Sequence, residues 1–232
     1  MDSVEKVAVA YFFSVKRKSI PFAFMSMALD RMRSRKFTGV SFSKLLGTGS
    51  GETFTPNDAD LSRWGMVVVI EKSRIDALDN SSLVTNWRRR ATSEFRAVLS
   101  PLSSHGLWAR KNPFDFTQPL SKPDATIAAI TRARIKWHKN AKLWGAVPPV
   151  VSDLHNSPGL IAAIGIGEAP IGLQGTFSLW QSASALRDFA YKGQAHQVAI
   201  EQTKSIGWYS EELFARFEVL ELRGEITTKV GK

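Results

Sequence analysis

With 232 residues, 44% of them hydrophobic and 22% charged, the chain is long enough to bury a substantial core and has the composition of an ordinary globular protein. The absence of cysteine excludes disulfides, iron–sulfur clusters, thiolate nucleophiles and cysteine-ligated metals. A net charge of +10 favours an anionic partner, such as nucleic acid, an anionic membrane surface or an acidic protein.

The sequence has no targeting or membrane-spanning pattern. It lacks a run of about 18–20 apolar residues, the length that a spanning helix needs. Asp2 and Glu5 stand where a secretory signal would have basic and then apolar residues. We therefore expect a cytoplasmic protein, and the positive charge leaves peripheral contact with a membrane open.

Hydrophobic periodicity over the first half predicts the order strand, helix, strand, strand, helix, strand. The predicted strands cover 4–15, 39–46, 65–71 and 94–99, and the predicted helices cover 22–33 and 73–91. The apolar side of the first helix is predicted to consist of Phe24, Met27, Ala28 and Met32.

A glycine-rich segment, 47–56, separates the second and third strands. A dinucleotide-binding loop would need a third glycine where Glu52 stands, and no Gly-Lys-Ser/Thr sequence follows. This segment is therefore expected to shape a pocket or a bulge rather than to bind phosphate.

The second half repeats the same order of elements. The predicted strands cover 125–137, 160–168, 175–180 and 213–220, and the predicted helices cover 141–154 and 183–206. Residues 102–124, rich in Ser, Pro and Asn, predict a linker, and Gly65 and Gly175 precede matching strands. The sequence thus predicts an α+β fold in which two ferredoxin-like βαββαβ units, 1–101 and 125–224, form a dimeric α+β barrel within one chain.

The helix predicted over 183–206 carries a histidine in an apolar stripe. Steps of three and four residues place on one face Leu186, Phe189, Gly193, His196, Ile200 and Thr203. Gly193, one turn before His196, leaves room for a flat group to approach. Two interpretations stay open for His196: a core histidine satisfied by a carbonyl or water, or an axial ligand of haem iron in an apolar pocket.

Other candidate sites are weaker. Residues 106–145 hold eight Lys or Arg against two Asp, interleaved with Trp108, Trp137 and Trp144, which is typical of a nucleic-acid surface, a solvated basic face or a docking patch for an acidic protein. His105, His138 and His155 lie in polar settings and are expected to be solvated. The Asp153-Leu154-His155 sequence lacks the second histidine that a carboxylate–histidine iron site needs.

Several motifs together resemble the spheroidene monooxygenase family, the carotenoid ketolases that act at acyclic carotenoid ends. The resemblance spans about residues 38–220 and rests on the segments 47–56, 112–114, 131–133, 143–148, 164–170, 176–180 and 196–217. It implies a monooxygenase with haem b that uses dioxygen and electrons from an acidic redox partner such as ferredoxin. It also implies a fold whose other members bind haem through a histidine of the C-terminal unit.

The resemblance assigns roles to particular residues. His196 becomes the axial iron ligand, with Gly193 and Phe189 beside the haem. Candidates for the haem wall or a substrate channel are Trp144, Phe177, Trp180 and Trp208, each with a plain core role as its alternative. Arg132 is expected to donate to bound oxygen or to a haem propionate, the alternative being an outward-facing charge.

Two further functions are weighed against this one. The first is a haem enzyme of the same fold with another reaction, such as nitrogen oxidation, dehydration or peroxide chemistry. The second is a cofactor-free basic module that binds RNA or an acidic protein, although the aromatic motif of RNA-binding ferredoxin-like sheets is missing. For the preferred function we expect an apolar small-molecule substrate and no nucleic acid, and homo-oligomerisation stays open.

Overall fold

The structure, a computed structural model, describes residues 4–50, 58–135, 153–168, 175–192 and 209–226. The described strands are β1 (Lys6–Val15), β2 (Val40–Gly49), β3 (Ala59–Glu71), β4 (Ala91–Gly106), β5 (Ile127–Ile135), β6 (Leu160–Gly167), β7 (Gly175–Trp180) and β8 (Tyr209–Arg223). The described helices are α1 (Ile20–Arg35), α2 (Ile75–Asp79), α3 (Ser82–Arg88) and α4 (Ala183–Lys192). The helix predicted over 141–154 lies outside these ranges except for its last two residues.

The eight described strands close into an antiparallel barrel in the order β1-β3-β2-β6-β7-β5-β8-β4. Each half has the strand order of a ferredoxin-like sheet, β4-β1-β3-β2 in the first and β8-β5-β7-β6 in the second. The halves join where β2 pairs with β6 over three residue pairs and where β4 pairs with β8. The predicted α+β fold of two ferredoxin-like units in one barrel is confirmed.

The barrel interior is filled by apolar side chains from all eight strands. The rings of Phe12 and Phe177 meet there at 5.1 Å, and Phe95 packs 6.0 Å from each of them. A second apolar layer lies outside the first sheet, where α1, α2 and α3 cover it. Since β1 and β3 are buried on both faces, their sequences are continuous apolar runs instead of alternating ones.

The segment predicted as a linker is part of the barrel. β4 continues to Gly106, so residues 102–106 are strand and the linker prediction is wrong there. Trp108 and Phe114 are fully buried against the interior, with Phe114 edge-on to Phe217 at 4.8 Å. Trp108 is therefore not available to stack on a nucleic-acid base. The proposed limits of the two units, 101 and 125, stay predictions.

The helix predicted over 73–91 is divided in two. Asn80 and Ser81 end α2, because the Asn80 side chain donates to the Asp76 carbonyl at 2.9 Å and the Ser81 hydroxyl donates to the Leu78 carbonyl at 2.6 Å. Such side chain to backbone bonds compete with a continuing helix. Ala91 already belongs to β4.

The predicted apolar side of α1 is correct for Met27, which packs against the outer apolar layer, and wrong for Phe24, Ala28 and Met32, which are exposed. The residues that this helix buries are Ala23, Ser26, Asp30 and Ser34. Ser34 and Ser43 share a hydroxyl–hydroxyl bond of 2.9 Å, which ties the polar side of α1 to β2. Phe24 and Met32 are 40% and 62% exposed instead. Among the described residues, no helix combines the length and apolarity needed to cross a membrane.

Candidate functional site

Helix α4 packs on the outer face of the second sheet. Its start is capped by Ser182, whose Oγ accepts a hydrogen bond from the Ala185 backbone N–H at 3.2 Å. Leu186 is buried in a cluster that includes Trp180. Phe189 stacks on Trp180, with ring centroids 5.2 Å apart and planes 29° from parallel. The structure thus brings together two of the predicted haem-wall residues, Phe189 and Trp180.

The strand registers make the two halves comparable position by position. Phe12 on β1 pairs with Gly65 on β3, and Arg132 on β5 pairs with Gly175 on β7. Gly65 and Gly175 therefore occupy equivalent positions, but only Gly175 stands at the start of its strand, because β3 already begins at Ala59. A Cβ at Gly175 would lie 2.3 Å from the Thr131 carbonyl oxygen, so the close approach of β7 to β5 requires glycine there.

The two outer faces differ in side-chain size at these equivalent positions. On the first half, the outward-facing row across the strands consists of Leu45, Met66, Tyr11 and Arg96. On the second half, the equivalent row consists of Gly165, Thr176, Thr131 and Phe214, which we call the outer shelf. One row further toward α4, Val9 and Val68 are replaced by Ala129 and Ser178.

The outer shelf is less covered than the row that it matches. All four members of the first-half row are buried. Thr131 is exposed and Phe214 is 42% exposed, although Thr131 lies on a strand with neighbours on both sides. Protein interiors pack without gaps, so a face of small side chains leaves room that a large one would fill. Gly165 itself is buried, so the accessible part of the shelf is formed by Thr131, Thr176 and Phe214, on the face of the sheet where Phe189 stacks on Trp180.

An open cleft of about 250 Å³ lies beside α4. Its lining is mostly apolar and includes Leu102, Pro119, Leu120, Ile127 and Leu186. Arg216 is the one cation of the lining, and its Nε donates to the Ser103 hydroxyl at 2.9 Å. The cleft can take an elongated apolar group next to the outer face of the second sheet.

The other predicted site residues are separated from this face or lie outside the described residues. Phe177 is fully buried in the barrel interior against Phe12 and Phe95, on the opposite side of the sheet from α4. Phe177 is therefore a core aromatic residue, which was the alternative to its predicted role in the haem wall or substrate channel. Four predicted site residues lie outside the described residues: Trp144, Gly193, His196 and Trp208.

Arg132 lies in an ionic cluster at one end of the barrel interior. Its guanidinium donates to Glu168 at 2.8 Å and also to Glu211, and it lies 5.8 Å from the centre of the Trp108 ring. Lys44 and the Trp108 indole N–H, the latter at 2.8 Å, donate to the same Glu168. Arg132 is only 4% exposed, so the alternative of an outward-facing charge is wrong.

The two carboxylates of this cluster are held ionised. Burial opposes the charge of Glu168, but hydrogen bonding and attraction from Lys44, with Arg132, outweigh it and keep the pKa of Glu168 below its usual 4.5. Burial likewise opposes the charge of Glu211, but hydrogen-bond donors outweigh burial and lower the pKa of Glu211. These donors are the backbone N–H groups of Arg110 and Ala109, at 2.7 and 3.1 Å, and the Arg132 guanidinium.

The Glu211 carboxylate also explains an unusual loop. Ala109 and Arg110 have φ angles of 58° and 64°, in the left-handed region that side chains avoid. Each such residue costs roughly 1–3 kcal/mol unless its surroundings compensate. Here both backbone N–H groups converge on Glu211, which stabilises the turn.

Acidification is expected to destabilise the protein through Glu168 and Glu211. Both pKa values are lower in the fold than the usual 4.5, so the unfolded chain binds more protons below that pH. The stabilisation is complete above about pH 4.5 and is lost as the pH falls through the folded values. Urea unfolding at a series of pH values from neutral to about 3 measures this loss. A Glu168→Gln variant should show a shallower dependence, and an unchanged slope would contradict the assignment.

The described residues provide no candidate for a metal site, and His196 lies outside them. No group of three His, Cys, Asp or Glu among them could hold an ion. His105 and His155 are exposed, as predicted, while His138 lies outside the described residues. The sequence analysis did not identify Lys44, Glu168 and Glu211 as a cluster. The one signal available in the sequence was the acidic residue Glu168 directly after an apolar strand.

Comparison of structures identifies the fold class. A crystal structure of aldoxime dehydratase matches 94% of this chain and 83% of its own with a TM-score of 0.58 at 10% identity. A second one, in complex with butyraldoxime, matches 95% and 81% with a TM-score of 0.57 at 14% identity. These likenesses concern the fold alone.

Comparison of sequences identifies the family, although no family model matches the chain. The spheroidene monooxygenase of Rhodobacter capsulatus is 35% identical over 212 residues, which are 89% of this chain and 86% of that protein. The spheroidene monooxygenase of Cereibacter sphaeroides is 30% identical over 84% of this chain and 60% of its own length. That of Rubrivivax gelatinosus is 34% identical over 80% of this chain and 71% of its own length. The chain belongs to the spheroidene monooxygenase family, a family of oxidoreductases. Membership favours the enzyme over the cofactor-free binding module.

Proposed function

We propose that the chain is a haem-dependent monooxygenase that oxygenates an acyclic carotenoid or a similarly elongated apolar substrate. Its relatives are named spheroidene monooxygenases, which supports the reaction and the class of substrate. The observation that carries the cofactor assignment is the outer shelf, where Thr131, Thr176 and Gly165 replace Tyr11, Met66 and Leu45 of the other half.

In this proposal the haem lies between the outer shelf and the helix predicted over 183–206. Ten residues of helix from Leu186 to His196 span about 15 Å, and the four residues of β7 from Trp180 to Thr176 span about 13 Å. A helix that continues as its sequence predicts would therefore carry the His196 imidazole to the level of the shelf. Gly193 then leaves space for the ring, and Trp144 and Trp208 remain predicted wall residues.

The bound haem would supply activation of dioxygen, which the protein side chains cannot provide. The hydroxyl groups of Thr131 and Thr176 are the hydrogen-bond donors of the shelf, whereas Arg132 lies across the sheet among carboxylates. The proposal therefore assigns to these two threonines, and not to Arg132, the role of donating a hydrogen bond to a ligand bound by the haem. Trp180 and Phe189 exclude water at the end of the shelf, and the apolar cleft beside α4 binds the substrate chain.

Electrons must come from outside the chain. We propose an acidic redox partner such as a ferredoxin, because the net charge of +10 favours association with an anionic protein. Oxidation at an allylic methylene would proceed by two hydroxylations at one carbon, and loss of water would leave a ketone.

Incubation with an acyclic carotenoid, ¹⁸O₂, a reduced ferredoxin and its reductase tests this function. The expected result is a ketone product that carries labelled oxygen, detected by mass spectrometry, and no product in an anaerobic control. Labelled water is not expected to replace dioxygen as the oxygen source. A haem-loaded protein that leaves the carotenoid unchanged, but turns over an oxime or a peroxide, would overturn the monooxygenase assignment and support another reaction on the same fold.

A further inference from the structure

Helix α1 turns three of its large apolar side chains away from the barrel, while Phe22, Phe24 and Met27 contact the barrel side. Met25, Leu29 and Met32 are 60%, 59% and 62% exposed, and their spacing of four and three residues aligns them in one stripe. The buried residues of the helix are Ala23, Ser26, Asp30 and Ser34. Helices of globular proteins bury their apolar stripe, so a stripe that faces solvent indicates an interaction surface.

The stripe is surrounded by positive charge. The exposed cations before and along α1 are Lys16, Arg17, Lys18, Arg31, Arg33, Arg35 and Lys36. Asp30 is the single acid between residues 16 and 36, and it is buried and paired with Arg33 at 3.2 Å. At 3.6 residues per turn, Arg33 and Arg35 lie about 80° to either side of the stripe. Their long side chains can keep their charges in water while their stems cover apolar surface.

We propose that α1 is a membrane-surface helix, which lies in the plane of an anionic lipid bilayer with Met25, Leu29 and Met32 among the acyl chains and the surrounding cations at the headgroups. An exposed apolar stripe can enter the boundary between headgroups and acyl chains while the cations beside it meet anionic lipids. A second copy of the chain is the poorer occupant, because it would bring seven cations against seven. The proposal goes beyond the oxygenase function and does not rest on it, because it requires neither haem nor carotenoid.

Sedimentation of the full chain with vesicles tests the proposal. We expect binding to phosphatidylcholine vesicles that contain about 30 mol% phosphatidylglycerol, little binding to pure phosphatidylcholine, and loss of binding as salt is raised. Met25→Gln/Leu29→Gln should weaken binding at least about tenfold, since both side chains lose their transfer into hydrocarbon. Arg35→Gln/Lys36→Gln should weaken it about 25-fold, at about fivefold for each cation.

Matched controls separate this helix from general charge and hydrophobicity. Leu222→Gln removes a leucine that is 46% exposed on β8, and Lys111→Gln/Lys122→Gln removes two exposed cations away from α1. The vesicle affinity of both controls should stay within about twofold of the parent, a range that includes the small loss expected from weaker long-range attraction. The thermal unfolding midpoint checks that each variant is folded.

Three results would overturn the proposal. The first is a parent chain that does not bind the anionic vesicles. The second is equal binding by the parent and Met25→Gln/Leu29→Gln, which would assign membrane contact to another surface. The third is a parent that is dimeric by light scattering and becomes monomeric in Met25→Gln/Leu29→Gln, since the stripe would then be a contact between copies.

Discussion

Thr131→Trp is expected to weaken haem binding by about 100-fold while the barrel stays folded. The indole would occupy the space above the outer shelf, and overpacking of this kind costs on the order of 3 kcal/mol, which is about 100-fold in a dissociation constant. Thr131 is exposed on β5, and tryptophan is favoured in strands, so the fold should tolerate the change. Titration with hemin, followed by the visible absorbance, measures the affinity.

Thr92→Trp is the matched control for this substitution. Thr92 is also an exposed threonine of a strand, but it lies on β4 of the first half, where no haem is proposed. Its hemin affinity should equal that of the parent within about twofold, since surface changes away from a site have small effects. Equal weakening by both variants, or no weakening by Thr131→Trp, would contradict a haem on the outer shelf.

Arg132→Met is expected to lower the free energy of unfolding by about 3–5 kcal/mol. Removing one member of a buried ionic cluster is strongly destabilising, and here Glu168 would keep only Lys44 as a cation and Glu211 only backbone donors. Urea unfolding of the two proteins measures the difference. Arg134→Met is the matched control, because Arg134 lies two residues further along β5 and is exposed; it should change the free energy by less than about 0.5 kcal/mol.

The Arg132→Met variant also tests the role first predicted for Arg132, which was to donate to bound oxygen or to a haem propionate. The cluster geometry makes Arg132 a structural residue, so the haem spectrum of folded Arg132→Met should match that of the parent. A variant with unchanged stability but an altered spectrum of the oxygen or carbon monoxide complex would show that Arg132 acts on the haem side of the sheet. That result would contradict the assignment of the hydrogen-bond donor to Thr131 and Thr176.

The fold followed from the sequence because its signals are local. β7 was predicted at 175–180 with the bounds that the structure has, since an apolar run between turn residues defines a strand without help from the rest of the chain. The repeat of element order was enough to predict two ferredoxin-like units. The extension of β4 to Gly106 was missed because its last residues are polar, and they become strand only by pairing with β8.

The orientation of α1 could not be predicted, because the periodicity of apolar residues assumes that they face the core. Ser26, Asp30 and Ser34 face it instead, through contacts such as the bond between Ser34 and Ser43 that depend on tertiary structure. The ionic cluster was missed for a similar reason. Lys44 and Glu168 are 124 residues apart in sequence, and no local pattern joins them.

The candidate site was predictable only in part. Trp180 and Phe189 were each predicted to lie near the cofactor, and Phe189 of α4 does stack on Trp180. Phe177, which alternates with the outward-facing Thr176 and Ser178 on β7, faces the interior. Its inward direction could have been found from the period of two along a strand. The outer shelf could be identified only after the strand registers had aligned the two halves. Small residues in one sheet indicate a site only when they are compared with the larger residues at the equivalent positions of the other sheet.

The visible spectrum of the protein, expressed with a haem precursor, tests the proposed cofactor most directly when His196→Ala and His155→Ala are recorded beside it. The parent should show a Soret band, His196→Ala should lose or shift it, and His155→Ala, which changes an exposed histidine, should keep it. A parent without a Soret band even after addition of hemin, or an unchanged band in His196→Ala, would contradict a haem held by His196.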